Sequence, residues 1–264
     1  MCLIRLENVS KIYSSGEEKV AAVSNLSLEV ESGEFVAVTG PSGCGKSTLL
    51  HMIGGLSRPS SGGISVRGKS LYQRTQSGLA LYRRRYVGIV YQFYNLVPEL
   101  TARENLILPA LMDGRRVEEE WVDEIFEILG IEEKKDAYPV QLSAGQQQKI
   151  AVGRALVNRP PLLLADEPTS MVDACSRATI LDMLLNLRDE VGMTVIFITH
   201  DIGLAYYISD TVYIMEHGKF VEYGKADEVI LAPKAAYTKR LISDVPKIHE
   251  EWDLSTVDLL TEAQ

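Results

Sequence analysis

Gly40-Pro41-Ser42-Gly43-Cys44-Gly45-Lys46-Ser47-Thr48 decides the reading of this chain. It fits the pattern G-x-x-x-x-G-K-S/T, and its flanks supply the context that pattern needs. The apolar run Phe35-Val36-Ala37-Val38-Thr39 predicts a buried strand before it, and Leu49-Leu50-His51-Met52-Ile53 opens a helix after it. Glycines let backbone N–H groups turn inward and approach phosphate oxygens closely. The helix after Gly45 aims its positive end at the same oxygens. Lys46 adds a compact charge at the outer phosphates, and the Ser47 hydroxyl is a ligand for Mg²⁺. Cys44 reads as a small filler whose thiol would be open to alkylation beside bound phosphate.

A second motif lies far downstream. Leu162-Leu163-Leu164-Ala165 is an apolar strand that ends in Asp166-Glu167. Asp166 would hold the metal ion, directly or through water, and Glu167 stands one residue further on to polarise an attacking water. Val195-Ile196-Phe197-Ile198-Thr199 is another buried strand, with His200 at its carboxyl end, where ligands bind in open α/β sheets. Gln92 follows the strand Val87-Gly88-Ile89-Val90-Tyr91. Leu142-Ser143-Ala144-Gly145-Gln146 opens a helical pattern. A hydroxyl and free backbone N–H groups at that start form a second anion-receptive site.

Taken in order, these motifs resemble the nucleotide-binding subunit of ATP-binding-cassette transporters over about residues 3–225. Leu142–Gln146 resembles the family's LSGGQ signature, with Ala144 in place of the first glycine. Gln92 resembles the Q-loop glutamine, Thr199-His200-Asp201 the switch-histidine motif, and Ser170-Met171-Val172-Asp173 the D-loop. Tyr13 matches the aromatic residue that stacks on adenine. The resemblance implies ATP bound by Tyr13 and the whole loop Gly40–Thr48. It implies Mg²⁺ held by Ser47, Gln92 and Asp166, with Glu167, His200 and Gln92 catalytic. It also implies a head-to-tail dimer, of like or unlike subunits, around two ATP. There Ser143, Ala144, Gly145 and Gln146 of one subunit, with its D-loop Asp173, meet the ATP of the other. Ala permits helical backbone angles, so Ala144 is tolerated unless its position needs a positive φ.

The fold class expected is α/β: a P-loop core with a mostly parallel sheet, an antiparallel β edge subdomain and an inserted α-helical subdomain. Strand-like runs recur at 35–39, 87–91, 162–166, 195–199 and 212–216, while Ile4–Val9 and Leu26–Val30 alternate as edge strands do. A single cassette domain is expected. Residues 1–95 and 161–225 form its core, 96–160 a helical signature subdomain, and 226–264 a helical tail whose acidic end frays.

The chain has 264 residues, 46% of them hydrophobic, ample for a sizeable core. Its net charge of −9 argues against nucleic acid as a partner. Arg83-Arg84-Arg85 reads as a solvated face. Cys2, Cys44 and Cys175 show no metal or disulfide spacing, which suits a reducing compartment. No signal peptide or membrane-spanning run is read, so a cytoplasmic protein held at the inner face of the membrane by a separate permease is expected.

Two sub-resemblances bear on the cargo. Residues 5–110 look like the group that exports macrolides, lipoproteins and antimicrobial peptides. The tail, Ala236-Tyr237-Thr238-Lys239-Arg240-Leu241 with Val245-Pro246, resembles oligopeptide importers. The longer match favours export, with peptide import as the alternative. A non-transport ATPase remains a third reading, set back by the single phosphate loop and the absence of heptads and zinc spacing. Phe93, Tyr94, Leu96 and Val97 are expected to line a groove that receives a cytoplasmic helix of the permease.

Overall fold

The computed structural model describes residues 1–15 and 18–244. The expected acidic end of the tail lies outside the described residues.

The central sheet is built largely from short apolar runs. It has six strands, in order β10 (Lys219–Lys225), β9 (Thr211–Glu216), β3 (Phe35–Thr39), β8 (Thr194–Thr199), β7 (Leu162–Asp166) and β6 (Val87–Val90). β9, β3, β8, β7 and β6 pair in parallel, and β10 returns antiparallel as an edge. β3 and β8 are buried at every position. Such strands are covered on both faces and read as unbroken apolar runs, which is why they are plain in the sequence.

A second, antiparallel sheet of order β2-β1-β4-β5 covers one side of the core. It comprises β1 (Cys2–Ser15), β2 (Glu18–Glu31), β4 (Ser61–Val66) and β5 (Lys69–Ser70). β1 and β2 run well past the alternating segments Ile4–Val9 and Leu26–Val30. The pairing shifts register between Leu6 and Val9, with Asn8 in a left-handed conformation at φ 49°. That bulge resets which parity faces inward, so Ile4, Leu6 and Val9 are all buried.

Helices fill the space between strands. α1 (Lys46–Ile53) follows the phosphate-type loop, and α2 (Gln76–Tyr86) leads into β6. α3 (Ala102–Met112), α4 (Glu119–Leu129) and α5 (Ala144–Leu156) separate β6 from β7. α4 buries Val122, Ile125, Phe126 and Leu129, one stripe at helical spacing. Thr101 caps α3 in a full capping box with Glu104. α6 (Ala174–Val191) and α7 (Ile202–Ile208) flank β8, and α8 (Ala226–Leu231) and α9 (Ala236–Ser243) close the described chain. No helix among the described residues is long and apolar enough to cross a membrane.

The arginine run is solvated as expected, with the Arg84 and Arg85 side chains 37% and 41% exposed, but it is also tied down. Arg84 and Arg85 lie in the last turn of α2 and converge with Arg115 on Asp113, just past α3. The Asp113 side chain is only 1% exposed. The cluster joins α2 to the end of α3. A one-letter window could not reveal it, because the partner acid lies 28 positions away.

Candidate nucleotide site

The parallel sheet gathers the site. Thr39 of β3 pairs with Thr199 of β8, Asp166 of β7 with Ile198, and Val90 of β6 with Ala165. Residues just past these pairs therefore emerge at one edge, the carboxyl ends of the strands. Those are the phosphate-type loop, His200, Glu167 and Gln92.

The loop's shape is enforced by its neighbours. At Gly40, φ 152°, a Cβ would sit 2.0 Å from the Met215 carbonyl oxygen. At Gly45, φ 109°, it would sit 2.1 Å from the Ala22 carbonyl oxygen. Any side chain there collides with backbone, so only glycine lets the loop close against β9 and β2. Gly45 is the N-cap of α1 and offers no side chain, so the first N–H groups of that helix stay uncapped. Lys46 is 6% exposed and donates to the Gly40 and Pro41 carbonyl oxygens at 2.8 and 2.9 Å.

The Ser47 hydroxyl lies close enough to Asp166 to favour its ionised form. Burial pushes the Asp166 carboxyl above its ordinary value; the nearby Ser47 hydroxyl and His51 pull it partly back, and Glu167 adds to the rise. Glu167 holds a left-handed backbone at φ 46°, which costs a non-glycine residue about 1–2 kcal/mol. Its N–H donates to Ile198 O at 3.0 Å, and its carbonyl accepts from Ser170 N–H and Oγ at 3.2 and 3.0 Å. The side chain thereby reaches His200, whose Nδ1 lies 3.2 Å from Glu167 Oε2. Gln92 is half-buried and makes no side-chain hydrogen bond among the described residues.

Tyr13 lies on the antiparallel sheet, 45% exposed, with the Lys11 ammonium 5.0 Å from its ring centre. Its strand neighbour Ile12 pairs with Ala21, next to the Ala22 carbonyl that abuts Gly45. The signature residues begin α5. Ser143 is its N-cap, accepting from Gln146 N–H at 3.3 Å, while its own N–H donates to Gln146 Oε1 at 3.0 Å. Ala144 is the first helical residue and has no positive φ, so its methyl is accommodated. Gly145 packs on Ser176 in the first turn of α6, whose N-cap is Asp173. No hydrogen bond links Ser143–Gln146 to Gly40–Thr48 among the described residues. Within one chain the two anion-receptive starts are separate.

Two expectations change. Cys44 is 6% exposed, and burial raises its thiol pKa against the pull of Lys46. A buried, protonated thiol is a poor nucleophile, so alkylation at this position is not favoured. Second, the cleft between α2, β6, α3 and α5, about 300 Å³, is lined by residues such as Arg83, Leu108, Pro109, Met112 and Arg154. Phe93, Tyr94, Leu96 and Val97 are not among its lining residues. Leu96 packs on the core, Tyr94 donates to Met171 O at 3.0 Å, and only Phe93 stands clear at 62% exposure. Sequence reading also passed over Arg154. From α5 it donates to the carbonyl oxygens of Asn95 and Tyr94 at 2.6 and 2.7 Å, holding the segment after Gln92. Its only sequence signal is an arginine on a largely buried helix.

This arrangement defines a class, and comparison with known proteins agrees. The family described as ABC transporter matches residues 23–170. The chain belongs to that family and is an ABC transporter nucleotide-binding domain, an ATP hydrolase. It is 39% identical to methionine import ATP-binding protein MetN of Geobacillus kaustophilus (strain HTA426), over 92% of this chain and 71% of that protein. It is 36% identical to MetN of Bacillus subtilis (strain 168), over 94% and 73%. Among solved structures, it resembles the dimeric post-hydrolysis state of the ATP-binding cassette MJ0796 bound to ADP and Pi. That match has a TM-score of 0.79 at 37% identity, covering 85% of this chain and 99% of the other.

Proposed function

We propose that this chain is the ATP-hydrolysing subunit of an importer and works as a head-to-tail dimer beneath a membrane permease. The observation that carries the hydrolytic reading is the cluster of Lys46, Ser47, Asp166, Glu167 and His200 at one sheet edge. The import reading is supported by the relatives above, both named for methionine import. It replaces the export preference drawn from residues 5–110. The tail's likeness to oligopeptide importers favoured the same direction with a different cargo. Methionine, named in those relatives, is the cargo to test first.

The residues present fit ATP and Mg²⁺. A Cβ at Gly40 or Gly45 would collide with the backbone of β9 or β2, so only glycine keeps the loop closed there; α1 begins with uncapped N–H groups, and the Ser47 hydroxyl lies beside the Asp166 carboxyl. Those N–H groups and the Lys46 ammonium would orient the outer phosphates. Ser47, Asp166 and Gln92 would hold Mg²⁺, which when bound neutralises charge developing on the transferred phosphoryl group. Glu167 Oε accepts the proton of the attacking water. His200, 3.2 Å away at the end of β8, would orient that carboxylate and meet the terminal phosphate. Ser143 and the start of α5 would close the partner's site. Asp173 adds its cap at the same face.

The cleft lined by Arg83, Leu108 and Met112 is the favoured seat for a short cytoplasmic segment of the permease. It lies between the core and the helices that carry the signature, and the Arg154 bonds connect it to the segment after Gln92. Membrane attachment then comes through that partner.

Two experiments test the proposal. Glu167→Gln should retain ATP binding, lower hydrolysis about 10²–10⁴-fold and accumulate an ATP-bound dimer on size exclusion. Parental turnover would move the base elsewhere. Cells lacking the chain should lose uptake of labelled methionine, and the parental gene but not Glu167→Gln should restore it. Unchanged uptake would remove methionine as cargo.

A further inference from the structure

α5 carries a polar side chain that nothing above has used. Gln148 is fully buried, and its Nε2 donates to the Pro168 carbonyl oxygen at 2.6 Å. A carbonyl only accepts, so this contact fixes which end of the amide faces it. The other end, Oε1, is buried without a hydrogen-bond partner among the described residues. A buried acceptor left unmet is destabilising, and leucine or methionine would fill similar space without it. Packing therefore does not explain glutamine here. What glutamine adds is one donor aimed at the residue after Glu167.

That residue matters because Glu167 stands in a left-handed conformation and must be held there. Its N–H and its carbonyl are bound from the sheet and from Ser170. Gln148 supplies the hold from the helical side. Ser143 lies earlier on the same helix, about 7.5 Å away along the axis at 1.5 Å per residue. A short, rigid run of helix thus joins the signature to the loop that carries the catalytic carboxylate.

We infer that Gln148 is a positioning residue that couples the two ATP sites of the dimer. It transmits engagement of Ser143–Gln146 at one site to Glu167 at the other. The inference rests on the proposed function. In a head-to-tail pair, the signature of one chain serves the partner's ATP while its Glu167 serves its own. Gln148 bridges the two within one chain. When the partner's ATP draws on the start of α5, the Pro168 carbonyl moves with the helix, and the carboxylate is set against His200.

The test uses Gln148→Leu and Gln148→Met, which keep bulk and remove the donor. Both should bind ATP with parental affinity. Turnover should fall about tenfold with KM within about twofold, the pattern of a lost positioning contact. The Hill coefficient for ATP should drop toward one. Hydrogen exchange of the segment 165–170 in nucleotide-free protein should speed up, a readout independent of turnover. Parental turnover, Hill coefficient and exchange in either folded variant would overturn the inference. So would a loss of turnover and melting temperature together with a parental Hill coefficient, which would mark a purely structural role. Methionine decides if the leucine variant does not fold. Glu167→Gln run alongside separates the two readings. If it hydrolyses ATP normally, the proposed function fails. If it is inert while both Gln148 variants are parental, only this inference fails.

Discussion

The starts of α1 and α5 are both receptive to anions, yet the chain prepares them in opposite ways. α1 begins at Gly45, with a left-handed backbone and no side-chain cap. α5 begins at Ser143, inside a complete capping box with Gln146. In α1 the N–H groups are kept free by a loop that admits no side chain, and the charge is the buried Lys46. In α5 the capping box takes up the Ser143 and Gln146 N–H groups, while Ala144 and Gly145 N–H make no hydrogen bond among the described residues. A helix end left without partners is costly unless a ligand or solvent meets it. In the proposed function the first start would bind phosphate tightly from one subunit alone. The second is held by its own capping box, and in the proposed dimer its two unpaired N–H groups would meet the partner's phosphate.

Removal of the charge at the first start tests this contrast most severely. Lys46→Ala should weaken ATP binding on the order of 10²–10⁴-fold, since it removes charge-assisted hydrogen bonds of about 1.5–3 kcal/mol each. Titration with a fluorescent ATP analogue measures it, and unchanged affinity would remove the loop as the binding site. At the second start the corresponding change is steric. Gly145→Ala would place a Cβ 2.4 Å from Ser176 Oγ and 2.8 Å from its Cβ. An alanine in a helix ordinarily gains about 0.5–1 kcal/mol over glycine. Overpacking here should reverse the sign, to a loss of about 1–3 kcal/mol in urea unfolding. Ser176→Gly should restore most of it in the double variant, and a stabilised single variant would contradict the packing of α5 on α6.

Ser143→Ala should cost about 1 kcal/mol in unfolding, the usual worth of a helix cap, and leave monomer ATP affinity unchanged. ATP-driven dimerisation should weaken. If monomer binding falls as well, the two starts are not separate within one chain. The smallest effect belongs to Cys44. Cys44→Ala should leave ATP affinity nearly parental and cost about 1 kcal/mol as a small buried deletion. Iodoacetamide should modify the exposed Cys175 well before the buried Cys44, read by mass spectrometry of peptides. Faster labelling at Cys44 would mean the loop opens more than its packing implies.

The strands of the parallel sheet were legible because burial on both faces forces continuous apolar runs, and the motifs sit at their ends. α2 and β10 carry no such signal. α2 buries only Leu79 and Tyr82, and β10 keeps no residue fully buried, so neither shows a period to find. The role of the segment after Gln92 is hard to read for a related reason. Phe93, Tyr94, Leu96 and Val97 are apolar or aromatic in sequence, but whether such residues face a groove or a core depends on helices far along the chain.

By itself the sequence determined the local chemistry. Glycines stand at positions where backbone must approach backbone, a lysine and a hydroxyl follow them, and two carboxylates end an apolar strand. These properties belong to short segments, and nearby residues set them. The tertiary structure decided everything that required distant segments to meet. It brought His200 within 3.2 Å of Glu167, folded three arginines onto Asp113, buried the Cys44 thiol and aimed Gln148 at Pro168. The physical reason is that parallel strands pair across crossovers, so the sheet edge collects strand ends that the chain itself holds far apart.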